Sequence, residues 1–360
     1  MNKFIRQLLP FGTLTLVIAA LSALEPDTFL TAENFRNVFS RSSYSGIIAM
    51  GMTAVIISGG IDLSVGSMMA VCGMVAGFIM TQNGVVVPTA ELMWIGTIVG
   101  IVTGLLCGLL NGSLITMLNL PPFIVTLGTM SAFRGISYVM NKGMMFDVPT
   151  YKFLGEGILP LWKTIEQTVP GGENQGSHIL RVVPPWSSPD LSGLGANAQI
   201  IPHGIPVCVL IFVGIVLIAF FILRYMPLGR YTYAIGSNRQ AAYHAGVNVN
   251  RNLIAIYAIT GIFVGIAAMI ATSRTVSAQP TAGQGLELDI IAAVVIGGAS
   301  LSGGRGTVIG TIIGTLLISF LRNGLTLLGI STNVQLVVIG AIIIGAVALD
   351  QMARSKAETT

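Results

Sequence analysis

Apolar runs of nearly membrane length, broken by short polar joints, dominate this chain of 360 residues. A helix crossing the hydrocarbon core of a bilayer needs about 20 apolar residues, with 17–25 common. By that measure spans fall near residues 8–24, 44–60, 64–81, 93–117, 121–140, 206–223, 253–271, 288–300, 307–322 and 333–349. Charged residues are only 9% of the sequence, against about 25% in soluble domains, and the mean hydropathy is +0.83. The expected fold is an all-α polytopic membrane protein with about ten transmembrane helices in one domain, residues 1–360. Runs 44–60 and 288–300 are short for a full crossing, and short, Gly-interrupted segments are often half-helices that break inside the membrane. The first run follows Lys3 and Arg6 but ends in no small-x-small cleavage site, so it reads as a retained span.

The same composition removes several classes of function. A net charge of +4 with no long basic run offers nucleic acid nothing to grip. Cys72, Cys107 and Cys208 sit singly in apolar runs and read as small buried hydrophobes, with neither a disulfide framework nor a metal set implied. His178, His203 and His244 are scattered. The chain has no GxxxxGK[ST] phosphate loop, no HExxH and no GxSxG, so neither ATP hydrolysis nor covalent catalysis has its usual residues.

Basic residues in short loops mark the cytoplasmic face. With the amino terminus inside, the inner segments hold Lys3, Arg6, Arg224, Arg230, Arg239, Arg251, Arg305, Arg354 and Lys356 against Asp62, Asp350 and Glu358. Both termini are therefore expected in the cytoplasm. The longest outer segment, residues 141–205, contains PGGENQGSH and VVPPWSSPD and reads as an extracytoplasmic loop, with Trp162 and Trp186 at the bilayer interface. Glycine recurs every fourth position at Gly96, Gly100, Gly104, Gly108 and Gly112, again at Gly306, Gly310 and Gly314, and at Gly261 and Gly265. Such rows let helix backbones approach closely in lipid and predict a tight bundle.

Three regions are candidates for function. Residues 224–251 carry Arg224, Arg230, Arg239 and Arg251 and no acid. Pro227 and Gly229 should stop the preceding helix, Ser237 or Asn238 should cap a short helix over 239–245, and Gly246 should end it. A capped helix at the cytoplasmic surface is a docking knob for a soluble partner. Next, Gly59-Gly60-Ile61-Asp62-Leu63-Ser64-Val65-Gly66 and Gly297-Gly298-Ala299-Ser300-Leu301-Ser302-Gly303-Gly304 share the pattern G-G-x-x-L-S-x-G, each after a short apolar run. Paired helix interruptions point to the working region of a transporter, although Gly and Ser also suit ordinary turns. Within the first, Asp62 is expected to cap a helix start, where the macrodipole favours a carboxylate; Glu287 and Asp289 are expected to do likewise, and Arg134 to snorkel outward. Finally, Gln279, Gln284 and Glu287 in an outer loop, with Asn111 near the inner end of the fourth span, offer amides and a carboxylate suited to a neutral polyol.

The stretches GGIDLSVGSMMA at 59–70, YAIGSNRQAAYHAGVNVNR at 233–251 and SAQPTAGQGLELDIIAAVVIGGASLSGGRGTVIGT at 277–311, with NGLTLLGIS at 323–331, resemble the permease subunits of bacterial ABC importers for monosaccharides. The third stretch is most similar to ribose permeases; the loop at 141–205 is longer than theirs. The resemblance implies a bacterial inner-membrane subunit without a cofactor of its own, paired with a second copy or a sister permease. It implies a cytoplasmic ATPase, carrying ATP and magnesium, docked on residues 224–252 through Gly236, Asn238, Ala241, Ala242, Gly246 and Val247. It also implies an extracytoplasmic sugar-binding protein as donor. A self-contained ion-coupled carrier, with Asp62 as its titratable group, and a membrane scaffold that only recruits a soluble protein are the alternatives.

Overall fold

A computed structural model describes residues 3–81, 90–169, 176–183, 198–342 and 344–345. In chain order the helices and strands are α1 Lys3–Leu24, α2 Pro26–Phe29, α3 Ala32–Ile57, α4 Val65–Met80, α5 Ala90–Met117, α6 Pro122–Met140, β1 Phe146–Asp147, α7 Phe153–Glu156, β2 Ile158–Val169, β3 Gly176–Val183, β4 Ala198–Pro206, α8 Val207–Tyr225, α9 Pro227–Ser237, α10 Arg239–His244, α11 Val249–Thr275, β5 Ser277–Ala278, α12 Leu286–Ile296 and α13 Val308–Leu327. A further apolar helix covers Thr332–Ile342. Helix α5, α6, α8, α11 and α13 are each long and apolar enough to cross a membrane; Phe11–Leu24, Val65–Met80 and Thr332–Ile342 are shorter apolar helices at other expected spans.

Local chemistry sets the boundaries. Pro122 and Pro227 stand in the first turns of α6 and α9, where a missing N–H costs nothing. The side chains of Thr31, Asn248 and Thr307 accept the N–H groups of Asn34, Arg251 and Gly310 at the starts of α3, α11 and α13.

Helix α11 is the hub. It packs on α3, α4, α5 and α7 and buries Ile256, Tyr257, Val264, Ala267, Met269 and Ile270. The glycine row of α5 makes its closest contact possible: a Cβ on Gly104 would run into the Gly261 carbonyl and one on Gly108 into the Tyr257 carbonyl. A Cβ on Gly265 would in turn meet Ile101 Cα at 2.7 Å. Two backbones thus touch along several turns, which dispersion rewards where lipid supplies no hydrophobic drive. The second row does the same between α13 and α12, with Gly310 against the Gly297 carbonyl and Gly314 against that of Ala293. The outside of the bundle is apolar: Ile98 and Leu106 on α5, Ile124 and Val139 on α6, and Leu217 and Phe221 on α8 are all exposed. A continuous exposed surface of that kind is stable only in lipid, so the chain is a multi-pass membrane protein.

Three expectations need correction. The short run 44–60 is the apolar half of α3, whose 26 residues begin at Ala32. Its first half carries Asn34, Arg36, Asn37 and Arg41, which a hydropathy window discounts although a helix accepts them. Residues 141–205, expected simply as a loop, hold β1, α7, β2, β3 and most of β4. The last three strands form an antiparallel sheet in the order β3-β2-β4, while β1 pairs with β5. Reading the segment from its Gly and Pro content overlooked runs such as ILPLWKTIEQTV, rich in strand-forming residues. The side chain of Trp162 and the whole of Trp186 lie outside the described residues. Finally, Pro227 does more than stop α8: it opens α9, a helix of 11 residues that the sequence reading did not anticipate.

The glycine contacts yield a paired test. Gly108→Leu forces a side chain into the α11 backbone and should cost about 1–3 kcal/mol, as overpacking does. Gly214→Leu on α8, with nothing within 4 Å of its Cβ position, should leave the melting temperature of the detergent-purified protein unchanged. Equal effects would refute the contact.

Candidate functional site

Both glycine pairs end a helix, but in different registers. Helix α3 closes through Gly59, at φ +83°, with Gly60 N–H returning to the Val55 carbonyl at 3.0 Å. Helix α12 closes through Gly298, at φ +92°, with Ala299 N–H returning to the Val294 carbonyl at 3.1 Å. Each is a left-handed C-cap with its backbone bond across the last turn. Gly59 therefore corresponds to Gly298, one place off the letter-by-letter match. Past the cap the loops diverge. Ser64 stands at the start of α4, whereas Ser302 lies in a turn in which Gly303 N–H bonds the Ser300 carbonyl at 2.9 Å. The remaining glycines serve contact: Gly297 lies on the Gly310 carbonyl, a Cβ on Gly60 would stand 2.7 Å from Tyr257 Oη, and Gly66 faces the Gly283 carbonyl and Glu287.

These two breaks meet each other and α9. Gly304 N–H donates to the Ile57 carbonyl at 2.8 Å, joining the second loop to the end of α3. Gly236, in the last turn of α9, lies against that same carbonyl; a Cβ there would also stand 2.6 Å from Gly304 N. A Cβ on Gly303 would meet the Gly236 carbonyl at 2.7 Å. Tyr233 Oη donates to the Gly306 carbonyl at 2.9 Å. Three segments far apart in sequence thus converge on three glycines.

From this junction α10 projects outward. Its start is capped by Asn238, which accepts Ala241 N–H at 2.9 Å. Its end is Gly246, at φ +82°, with Val247 N–H returning to the Ala242 carbonyl at 3.1 Å. The cap thus falls to Asn238 rather than Ser237. Ala242 is buried with Ile235, Val249 and Leu253, and Val247 packs on them. Asn238, Ala241, Tyr243 and Gly246 are exposed, as are Arg224, Arg230, Arg239 and Arg251.

Asp62 is fully buried. One carboxylate oxygen accepts Ser64 N–H at 2.8 Å and Ser64 Oγ–H at 2.6 Å, and Asn111 Nδ2 donates to Ser64 Oγ at 2.8 Å. Burial pushes the carboxyl above its ordinary pKa, and the Ser64 bonds work against that rise. Asp62 braces its own turn and leaves the first-turn N–H groups of α4 uncapped. Asn111 belongs to this string rather than to any open space.

An open space lies near the other end of α3. Arg41 is 16 residues before Ile57, about 24 Å at 1.5 Å per residue. There a cavity of about 490 Å³ is bounded by Arg41 and Tyr44 of α3, Gln279 and Gln284 of the loop after β5, and Thr315, Arg322 and Asn323 of α13. Asp289 lines it too, bound to Arg322 at 2.8 Å; this pairing, and not helix capping, is its role. Glu287 lies outside the lining, and Arg134 holds the Pro280 and Ala282 carbonyls of the expected outer loop at 2.7 and 2.9 Å. Of the residues expected along a pathway, Gln279 and Gln284 border the cavity while Asn111 and Glu287 do not. The α3 and α13 residues were missed, although Thr315, Ser319 and Arg322 recur at helical spacing within an apolar run.

The string through Ser64 should behave as a unit. Ser64→Ala and Asn111→Ala should destabilise the protein non-additively, with a coupling of about 1 kcal/mol in a double-mutant cycle of melting in detergent; simple additivity would contradict it.

Comparison with known proteins agrees with this architecture. A family model described as the permease component of the branched-chain amino acid transport system matches residues 34–347. The ribose import permease protein RbsC of Bacillus subtilis is 41% identical over 343 residues, covering 95% of this chain and 92% of that protein. RbsC of Escherichia coli is 36% identical over 94% of this chain and 91% of its own length. The xylose transport system permease protein XylH of Haemophilus influenzae is 34% identical over 95% of each. No solved structure matches. With nearly the whole chain aligned and both helix breaks inside the match, the protein belongs to the family of membrane permease components of these transport systems.

Proposed function

We propose that this chain is the membrane-spanning subunit of an ATP-driven importer that carries a monosaccharide across a bacterial inner membrane. It catalyses no reaction itself. ATP and its magnesium belong to a separate cytoplasmic ATPase that grips residues 224–252, and a sugar-binding protein outside delivers the substrate. Two copies, or one copy and a sister permease, form the pathway, each chain crossing about ten times with both termini in the cytoplasm. The exposed arginines at the α9–α10 end support that orientation. The relatives named for ribose and xylose support the substrate class.

The observation that carries the proposal is the contact of Gly236 with both the Ile57 carbonyl and Gly304. A partner that moves α10 moves α9, and α9 has no slack against the two helix breaks. Displacing it shifts the ends of α3 and α12 together, and those helices rise to the cavity. Binding of ATP by the partner thereby biases one arrangement of the bundle over another, to the extent that the two arrangements hold the partner differently.

An ion-coupled carrier has one observation in its favour, the unpartnered Oδ2 of buried Asp62. Liposomes containing this chain alone separate the two: no accumulation of ribose or xylose down a proton or sodium gradient is expected, and accumulation would make it a carrier.

Two substitutions test the coupling. Gly236→Val places methyl groups in the Ile57 carbonyl, and Gly246→Val forces a β-branched residue to φ +82°. Each should cut sugar uptake roughly tenfold or more while the ATPase that copurifies keeps hydrolysing. Uptake and hydrolysis that stay in wild-type proportion would refute the role of the junction.

A further inference from the structure

We propose that the cavity between α3 and α13 holds the sugar in transit, and that the polar edge of α13, formed by Thr315, Ser319, Arg322 and Asn323, reads its hydroxyl groups. This rests on the importer function proposed above and adds to it the place and the residues of substrate contact.

Thr315, Ser319 and Arg322 lie at i, i+4 and i+7, on one face of α13, and all line the cavity. Polar side chains on a helix within the bilayer are expensive and ordinarily face a partner, water or a substrate path. Part of this edge is fixed by the fold. Arg322 Nη2 is bound to Asp289 at 2.8 Å, and Asn323 Nδ2 donates to Asn34 Oδ1 at 2.8 Å. What those bonds leave over is telling. Thr315 Oγ1, Arg322 Nε and Asn323 Oδ1 are buried without a hydrogen-bond partner among the described residues. Folded proteins rarely leave such groups unmet. The three comprise a hydroxyl, a donor and an acceptor, a mixture suited to groups that both give and accept hydrogen bonds, as each hydroxyl of a sugar does.

The facing wall completes the match. Tyr44 supplies a ring for the C–H face of a sugar, and Gln279 and Gln284 supply amides. A volume of about 490 Å³ lies within the range of small-molecule sites. Because Arg322 and Asn323 are already held by Asp289 and Asn34, little ordering is left to the ligand. Arg41 and Arg274 also line the cavity, while the α13 edge itself, with Arg322 neutralised by Asp289, favours a monosaccharide with adjacent hydroxyls.

The test uses full-length protein in its host, in a strain deleted for this chain and complemented with variants, with initial uptake of labelled ribose, xylose and allose, and of a labelled hexuronate, measured over a concentration series. Wild-type protein that restores uptake of none of them, or of a hexuronate alone, would end the importer or the neutral-sugar reading before α13 is judged. If wild type does transport, Thr315→Val and Asn323→Leu should lower uptake roughly tenfold and change the ranking among the three sugars, while Thr315→Ser retains both. Uniform loss for all sugars in step with lost membrane protein, or no loss, would overturn the site and leave the importer standing. Independently, Ser319→Cys should react with a charged maleimide added outside and lose uptake on reaction. The native cysteines are buried, and Leu217→Cys on the lipid face should stay unlabelled. A Ser319→Cys protein that is not labelled, or is labelled without loss of uptake, would refute the proposal.

Discussion

The hydrogen bond from Gly304 N–H to the Ile57 carbonyl is the constraint on which the architecture turns. The last carbonyls of a helix have no partner within it. Here the Ile57 carbonyl at the end of α3 is met by Gly304 N–H of the loop after α12, and α9 packs on the same carbonyl through Gly236. A bond of this kind between two loops ties the ends of two helices. Any force on α9 is therefore felt at both.

Backbone contact recurs throughout. The α5–α11 and α12–α13 pairs are close because glycine rows remove side chains from one face of α5 and of α13. Interiors packed this way are not continuously deformable, so motion between arrangements favours whole-helix shifts over local yielding. Helix α3 runs from the α9 junction at Ile57 to the cavity wall at Arg41 and Tyr44. Arg134, gripping the Pro280 and Ala282 carbonyls, anchors the loop that borders the cavity at the far end.

Much of the local structure around these residues was legible in advance, for a physical reason in each case. A cap at Ser237 or Asn238 and the terminator Gly246 could be assigned because capping is a matter of a few adjacent residues, and the structure chose Asn238. The glycine rows announced close packing because their period of four is a property of one helix. The equivalence of the two loops was less secure. The letters G-G-x-x-L-S-x-G align Gly59 with Gly297, yet the backbone aligns Gly59 with Gly298, since each helix ending needs one left-handed glycine and leaves its neighbour free for contact. Asn111 and Glu287 were grouped with a pathway by polarity alone, and polarity does not tell a side chain that bonds Ser64 from one that faces open space.

The sequence by itself determined that the chain must live in lipid, where α4, α5, α6 and α8 begin and end to within a few residues, and that two helices stop at glycine pairs. Those are consequences of hydropathy and local backbone geometry, which short windows contain. Only the tertiary structure decided that Gly236, Ile57 and Gly304 meet, that Asp289 answers Arg322, and that α3 and α13 border one cavity. Such contacts join residues far apart along the chain, and their free energy depends on the packing of every helix between them, which no local pattern records.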